Sequence, residues 1–432
     1  MDHSDVTAES LLKSLRQERD SSIASDHPTA STSSPTKSPF VRRTSIDVFR
    51  GMVMFLMLAE VLEWGKLLAV KDRFSENVQK VLEWIDFHIS HVAWGGCSLH
   101  DMIQPAFSFL VGTSLAFSFS KRSREGQSWE WMFFHALGRS LILVFLGIFL
   151  RSLGKPSTNF TFDDTLTQIG LGYGLLFFFA DRKPLTIALG AVGVLVFYWL
   201  VFALYPLPSS SFNYAAVGVP ESWQHHAKGF AGHWNKNSNA AWAFDVWWMN
   251  LFPREMRFEF SAGGYCTLSF IPTLGTMLLG LLAGSWMRDI EQSGRRSAVF
   301  LTTAAVCFAG GLAMDHFGIC PIVKRIWTPS WVLWSGAICF LWLLVLSWIC
   351  DDARLTRWSF FFRVIGANSI VAYVMSWTIE GWLKQAIERH FGFAIKTWVP
   401  EPYRAFFLGC SVLLIFWLIL LWLYRRKIFV RI

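Results

Sequence analysis

Apolar positions in this chain come in long unbroken runs, not in the two- or three-residue alternations of a soluble domain. Ten such runs are legible, at about 46–68, 101–120, 132–150, 166–180, 184–204, 264–287, 298–314, 331–350, 360–383 and 405–424. Each approaches the roughly 20 helical residues that cross a hydrocarbon core of about 30 Å. A lipid-embedded backbone satisfies its own hydrogen bonds by coiling into helices, so the pattern predicts an all-α polytopic membrane protein of about ten transmembrane helices. The fourth run is short and leaves by the turn Asp181-Arg182-Lys183-Pro184. The first and ninth carry charged residues inside the apolar stretch.

Between the runs, basic residues fall on alternate connections. Arg42, Arg43 and Arg50 precede or open the first. Lys121, Arg122 and Arg124 follow the second, Arg182 and Lys183 the fourth, and Arg288, Arg295 and Arg296 the sixth. Arg354 and Arg357 follow the eighth, and Arg425-Arg426-Lys427 the tenth. Short basic loops stay on the cytoplasmic side. Ten spans then place both termini in the cytoplasm and the long loops, about 69–100, 205–262 and 384–403, on the outer side. Residues 1–40 differ: 21–38 is rich in Ser, Thr and Pro without an apolar face, which predicts a disordered cytoplasmic tail ahead of a membrane domain over 41–432.

Composition agrees with this reading. Hydrophobic residues make up 53% and charged residues 16% of 432, against roughly 25% charged in a soluble domain. The net charge of +8 is accounted for by the loops of one face, so it orients the array and predicts a lipid bilayer and not nucleic acid as the partner. Seven Cys are too few for a disulfide scaffold; Cys97 and Cys320 fall on the same side, with pairing and free thiols both open.

Polar groups at membrane depth are costly and therefore candidates for function. Glu60, Asp101, Gln104, Arg139, Gln168, Asn368 and Glu380 qualify, with interhelical hydrogen bonding as the plain alternative. The densest polar stretch is 88–105, where His88, His91, His100, Asp101 and Gln104 surround Gly95-Gly96 at the head of the second span. A neutral imidazole takes and returns protons near neutral pH, and a carboxylate nearby fixes its tautomer. The three histidines follow no fixed metal-binding pattern, so no metal is expected. The Trp and His residues of 205–262, among them Trp223, His225 and Trp234, suit either sugar stacking or an interfacial belt.

The segment His91-x-x-Trp94-x-Gly96-x-x-x-x-Asp101-x-x-x-Pro105-x-Phe107-x-Phe109-x-x-Gly112-x-Ser114 resembles the heparan-α-glucosaminide N-acetyltransferase family of transmembrane acetyltransferases. Five further segments agree in order: Ser45–Gly51, Leu166–Tyr173, Trp327–Val332, Asn368–Tyr373 and Tyr424–Phe429. The resemblance implies a transmembrane acyltransferase fold. It implies acetyl-CoA as cytosolic co-substrate, and a sugar or glycan amine or hydroxyl as acceptor on the far side. The family's active-site histidine maps onto His91, as general base or as acetyl carrier, with Asp101 as its orienting partner. Asn368 and Ser369 become candidates for the pantetheine arm or for joining helices, and Arg50, Arg122 or Arg124 for the CoA phosphates. Gln168, Glu60 and Trp94 complete the candidate substrate contacts. Where the family has an Asn near the end of the first helix, this chain has Val61 beside Glu60. The expected setting is a bacterial inner membrane, since the chain lacks the animal enzyme's long luminal start, with a lysosomal-type membrane as alternative. A homodimer is an allowed assembly. A transporter or flippase of a sugar-linked substrate is the competing reading, resting on many spans with polar residues inside.

Overall fold

The computed structural model describes residues 43–68 and 71–430; the expected tail over 1–40 lies outside the described residues. Among the described residues the regular structure is helical, apart from one isolated antiparallel bridge between Gly95 and Val323. Fourteen helices frame the fold: α1 (Thr44–Leu58), α2 (Glu76–Ile89), α3 (Ile103–Arg124), α4 (Trp129–Ser152), α5 (Thr165–Phe177), α6 (Pro184–Ala203), α7 (Ala240–Trp248), α8 (Phe270–Asp289), α9 (Ser293–His316), α10 (Pro329–Leu346), α11 (Phe360–Ala367), α12 (Ser369–Thr378), α13 (Glu380–Trp398) and α14 (Arg404–Arg425). Among the described residues, seven helical segments are long and apolar enough to cross a membrane, and eight if the pair α11 and α12 is one span. The chain is a multi-pass membrane protein.

Two expected spans fall short of that length. The first ends as α1 after 15 residues and continues only as a 3-10 turn, Ala59–Leu62. Glu63 then takes a left-handed conformation. The fourth is α5, 13 residues long, opened by Asp164, whose Oδ1 accepts from the N–H groups of Leu166 and Thr167. The ninth breaks by 75° at Asn368. Its side chain serves other backbone: Nδ2 donates to Ile428 O at 3.0 Å and Oδ1 accepts from Val430 N–H at 3.0 Å. The outer loops expected from apolarity alone contain α2, α7 and α13. These helices mix polar and apolar faces, so no apolar run announced them.

α8 is the most enclosed span and packs against α3, α5, α6 and α10. Close contact with α3 depends on small residues. A Cβ on Gly280 would overlap the carbonyl of Phe109, and one on Gly112 the carbonyl of Met277. Thr113 Oγ1 donates to Gly280 O at 3.0 Å across the crossing. Around this centre, α4, α6 and α14 turn Phe145, Leu189, Val196 and Leu418 outward, an apolar exterior suited to lipid. One end is closed by a hydrogen bond and an ion pair: Asp351 Oδ1 accepts from Ser45 N–H at 3.1 Å, and Arg296 Nη2 donates to Asp352 Oδ1 at 2.7 Å. The opposite end holds the connections 59–102, 153–164, 204–269, 317–328 and 379–403, and there they enclose a cavity.

Candidate active site

His91 sits in the 90–99 loop that leads from α2 into α3, and Asp101 shapes that loop. Asp101 lies on the 3-10 turn His100–Met102 at the head of α3, 1% exposed. Its Oδ2 accepts from Val92 N–H at 3.3 Å and from Ser98 N–H at 3.1 Å. Its Oδ1 lies 2.8 Å from His91 Nδ1. The Ser98 hydroxyl lies 2.6 Å from Ser90 O, closing the base of the loop. An ionised carboxylate only accepts, so the tautomer that serves Asp101 carries its proton on Nδ1 and has Nε2 as the basic nitrogen.

A second loop docks onto the first. Gly96 N–H donates to Ile322 O at 3.1 Å, at φ +109°, a conformation suited to glycine. Arg325 Nη2 donates to Val92 O at 3.2 Å and Nη1 to Gly263 O at 2.7 Å. This docking delivers Lys324, whose Nζ stands 3.1 Å from His91 Nδ1 and 3.2 Å from Asp101 Oδ1. Beside it, His100 Nε2 lies 2.8 Å from Glu60 Oε1, and the rings of His91 and His100 have centroids 4.5 Å apart. Two imidazoles, two carboxylates and one ammonium thus meet in one cluster.

The cluster faces a cavity of about 500 Å³. Gln104 and Phe107 line it from the first turns of α3, Arg151 from the last turn of α4, Asp163 and Asp164 from the α4–α5 connection, and Tyr373, Trp377 and Glu380 from α12 and the start of α13. Its volume is that of a small-molecule site. Burial, the Lys324 charge and His100 hold the His91 imidazole below its usual value, against the pull of Asp101. Burial likewise pushes the Lys324 ammonium down, opposed by Asp101. His88 is engaged elsewhere, accepting from Leu99 N–H at 3.3 Å, and no group of three or more His, Cys, Asp or Glu among the described residues is arranged to hold a metal ion. All seven cysteines, Cys97 and Cys320 included, are free thiols.

No family model matches the chain. It is similar to heparan-alpha-glucosaminide N-acetyltransferase of Mus musculus, 22% identical over 438 residues, which cover 90% of this chain and 61% of the mouse protein. The Homo sapiens protein of the same name is 23% identical over 437 residues, 90% of this chain and 59% of its own. The chain is a distant relative of this family. It spans about three fifths of the length of these two relatives.

The segments and residues singled out in the sequence occupy different places. The one beginning at His91 and the loop before Trp327 build the cavity cluster, and Glu60 joins them. Trp94 is buried behind the loop, its ring 6.2 Å from that of Trp223. Gln168 is buried in α5, where Nε2 donates to Phe162 O at 2.7 Å and to Thr267 O at 3.2 Å; it braces the start of α8 and does not line the cavity. Arg50 faces α3, with Nη2 donating to Ser114 Oγ at 2.8 Å. Ten helical residues separate it from Glu60, roughly 15 Å. Asn368 secures the 428–430 backbone, and neither it nor Ser369 lines the cavity. Sequence reasoning missed Lys324. Its one signal was its place three residues before the Trp327-Thr-Pro-Ser330 motif.

Proposed function

We propose that the chain is a membrane acetyltransferase that moves an acetyl group from acetyl-CoA to the amine or hydroxyl of a sugar or glycan. The observation that carries this reading is the His91–Asp101 pair, 2.8 Å apart, facing a cavity of about 500 Å³ at one end of the apolar bundle. Kinship with acetyltransferases supports the reaction class. The basic groups Lys121–Arg124, Arg182-Lys183 and Arg295-Arg296, in or beside the helix ends, belong to the opposite end, which supports a cytoplasmic position for that end and an outer position for His91. Gln104 and Phe107 extend the cavity into the bundle, where a donor arriving from the inner side meets an acceptor from the outer side.

In this reading Asp101 holds His91 with Nε2 free. Nε2 removes the proton from the acceptor nitrogen or oxygen as that atom bonds to the acetyl carbon. The C–S bond then breaks, and His91 returns the proton to the departing sulfur. Asp101 stabilises the imidazolium between the two events, as a buried carboxylate does for a catalytic histidine. The test is incubation of the purified protein with acetyl-labelled acetyl-CoA and a panel of amino sugars and envelope glycans, with products identified by mass spectrometry. The expected result is an acetylated acceptor with the wild-type protein and none with a folded His91→Ala variant. Full transfer by that variant would falsify the assignment.

A further inference from the structure

The loop that carries Lys324 holds strained backbone. Trp327 stands at φ +50°, in the left-handed region that a bulky side chain seldom enters. The surroundings hold it there. Its indole N–H donates to Thr276 Oγ1 at 3.1 Å and its backbone N–H to Lys324 O at 2.8 Å. Thr328 Oγ1 accepts from Val323 N–H at 3.0 Å. What this construction places at the site is one ammonium, its side chain 6% exposed, in contact with both members of the His91–Asp101 pair. Orienting a histidine needs only the carboxylate, so the buried cation calls for its own explanation.

The imidazole Nδ1 has a single in-plane position. It carries a hydrogen for Asp101, or a lone pair for Lys324, and not both. Asp101 Oδ1 is meanwhile shared between Nδ1 at 2.8 Å and the Lys324 ammonium at 3.2 Å. Part of its attraction is therefore already answered before any proton reaches Nε2. A proton added there must also settle beside a second positive charge. We propose that Lys324 is a positioning residue that keeps His91 a neutral imidazole, ready to accept a proton and quick to release it, by sharing Asp101 and repelling an added charge. The proposal deepens the reading of His91 as the base and rests on it for its meaning in catalysis.

His100 also opposes a charge on His91, but it does not share Asp101 as Lys324 does. His100 and Asp101 face it from the head of α3, and Glu60 from the end of α1. Arg325 shares the loop of Lys324, but its guanidinium is aimed at Val92 O and Gly263 O and lies over the Tyr265 ring. Across the cavity stand Arg151, Asp163, Asp164 and Glu380, and on the α2 side Lys71, Glu83 and Asp86. Lys71 pairs with Glu83 at 2.6 Å. Among the described residues, Lys324 is the cation within hydrogen-bond distance of the ring.

Diethyl pyrocarbonate acylates the neutral imidazole and not the imidazolium, so it reads the charge of His91 without any acceptor. His91 is 39% exposed and open to the reagent. The purified protein in detergent is labelled across a pH series spanning the ordinary histidine value of about 6.5, and peptide mass spectrometry gives the modified fraction at His91. In the wild type the midpoint should lie below that of a synthetic peptide of residues 86–96. In Lys324→Met it should rise by about one pH unit or more, since Asp101 then acts unopposed. In Lys324→Arg it should stay near the wild-type position. A midpoint unchanged by Lys324→Met overturns the proposal. If that variant does not fold, Lys324→Gln is read in its place, and an unchanged midpoint there overturns the proposal; a wild-type midpoint equal to the peptide's overturns it too. A labelling shift without a matching shift in the acid limb of acetyl transfer would uphold Lys324 and refute His91 as the base.

Discussion

Replacing Asp101 by Asn isolates how much of the site depends on one carboxylate. The side chain keeps its shape but loses its charge, and one oxygen becomes an NH₂ donor. Oδ1 faces His91 Nδ1 and Lys324 Nζ, while Oδ2 accepts from the N–H groups of Val92 and Ser98. Either orientation of the amide therefore turns a donor toward donors, and Lys324, buried at 6% exposure, is left without its counter-charge. Breaking a buried pair by removing one partner costs about 3–5 kcal/mol, mostly the stranded charge. The double variant Asp101→Asn with Lys324→Met removes that stranded charge and should regain about 0.5–3 kcal/mol over Asp101→Asn alone, the range of coupling between groups in contact. Unfolding by sodium dodecyl sulfate in mixed micelles, followed by circular dichroism, measures both differences. Acetyl transfer should fall about 10²–10⁴-fold in the single variant and stay low in the double, because His91 has lost its orienting partner in each. A double variant no more stable than Asp101→Asn would show that Asp101 does not balance Lys324, and one that transfers at the wild-type rate would show that it does not orient His91.

Two further outcomes follow from the fold. Gly280→Val pushes side chain into the Phe109 carbonyl at the α3–α8 crossing, which should cost at least the 1–3 kcal/mol typical of overpacking and appear as a lower midpoint in fluorescence-detected size exclusion. Asp245, on α7, is pushed up to about 7 by burial, against the hydrogen bond from Thr267 N–H. The folded state then holds a proton that the unfolded carboxyl releases near 3.9, so stability contributed by this group is present at low pH and falls as pH rises toward 7. Asp245→Asn should raise the melting temperature relative to wild type more above pH 7 than near pH 4, and an equal effect at both would contradict this.

The membrane character of the chain was legible because lipid demands long apolar runs, and α4, α6, α10 and α14 fall where those runs lie. The break of the ninth run was not, because it depends on Asn368 bonding to backbone sixty residues away at Ile428 and Val430. The helices α2, α7 and α13 were invisible for a related reason: an amphipathic helix beside a membrane has the composition of a loop. The pairing of His91 with Asp101 could be read from their closeness in sequence at the head of a span. Lys324 could not, since 233 positions separate it from His91 and only the docking of Gly96 against Ile322 brings them together. Likewise Gln168 and Asn368 were conspicuous as polar residues in apolar runs, yet both satisfy backbone groups away from the cavity.

If the imidazole of His91 handles the proton of acyl transfer, chemical rescue reveals it. His91→Ala vacates one side chain at the cavity wall and leaves Asp101 and Lys324 in place. Free imidazole added to this variant, with labelled acetyl-CoA and an acceptor that the wild type acetylates, should restore transfer in proportion to the neutral imidazole present, while leaving the wild-type rate unchanged. Transfer by His91→Ala at the wild-type rate without imidazole would contradict the account.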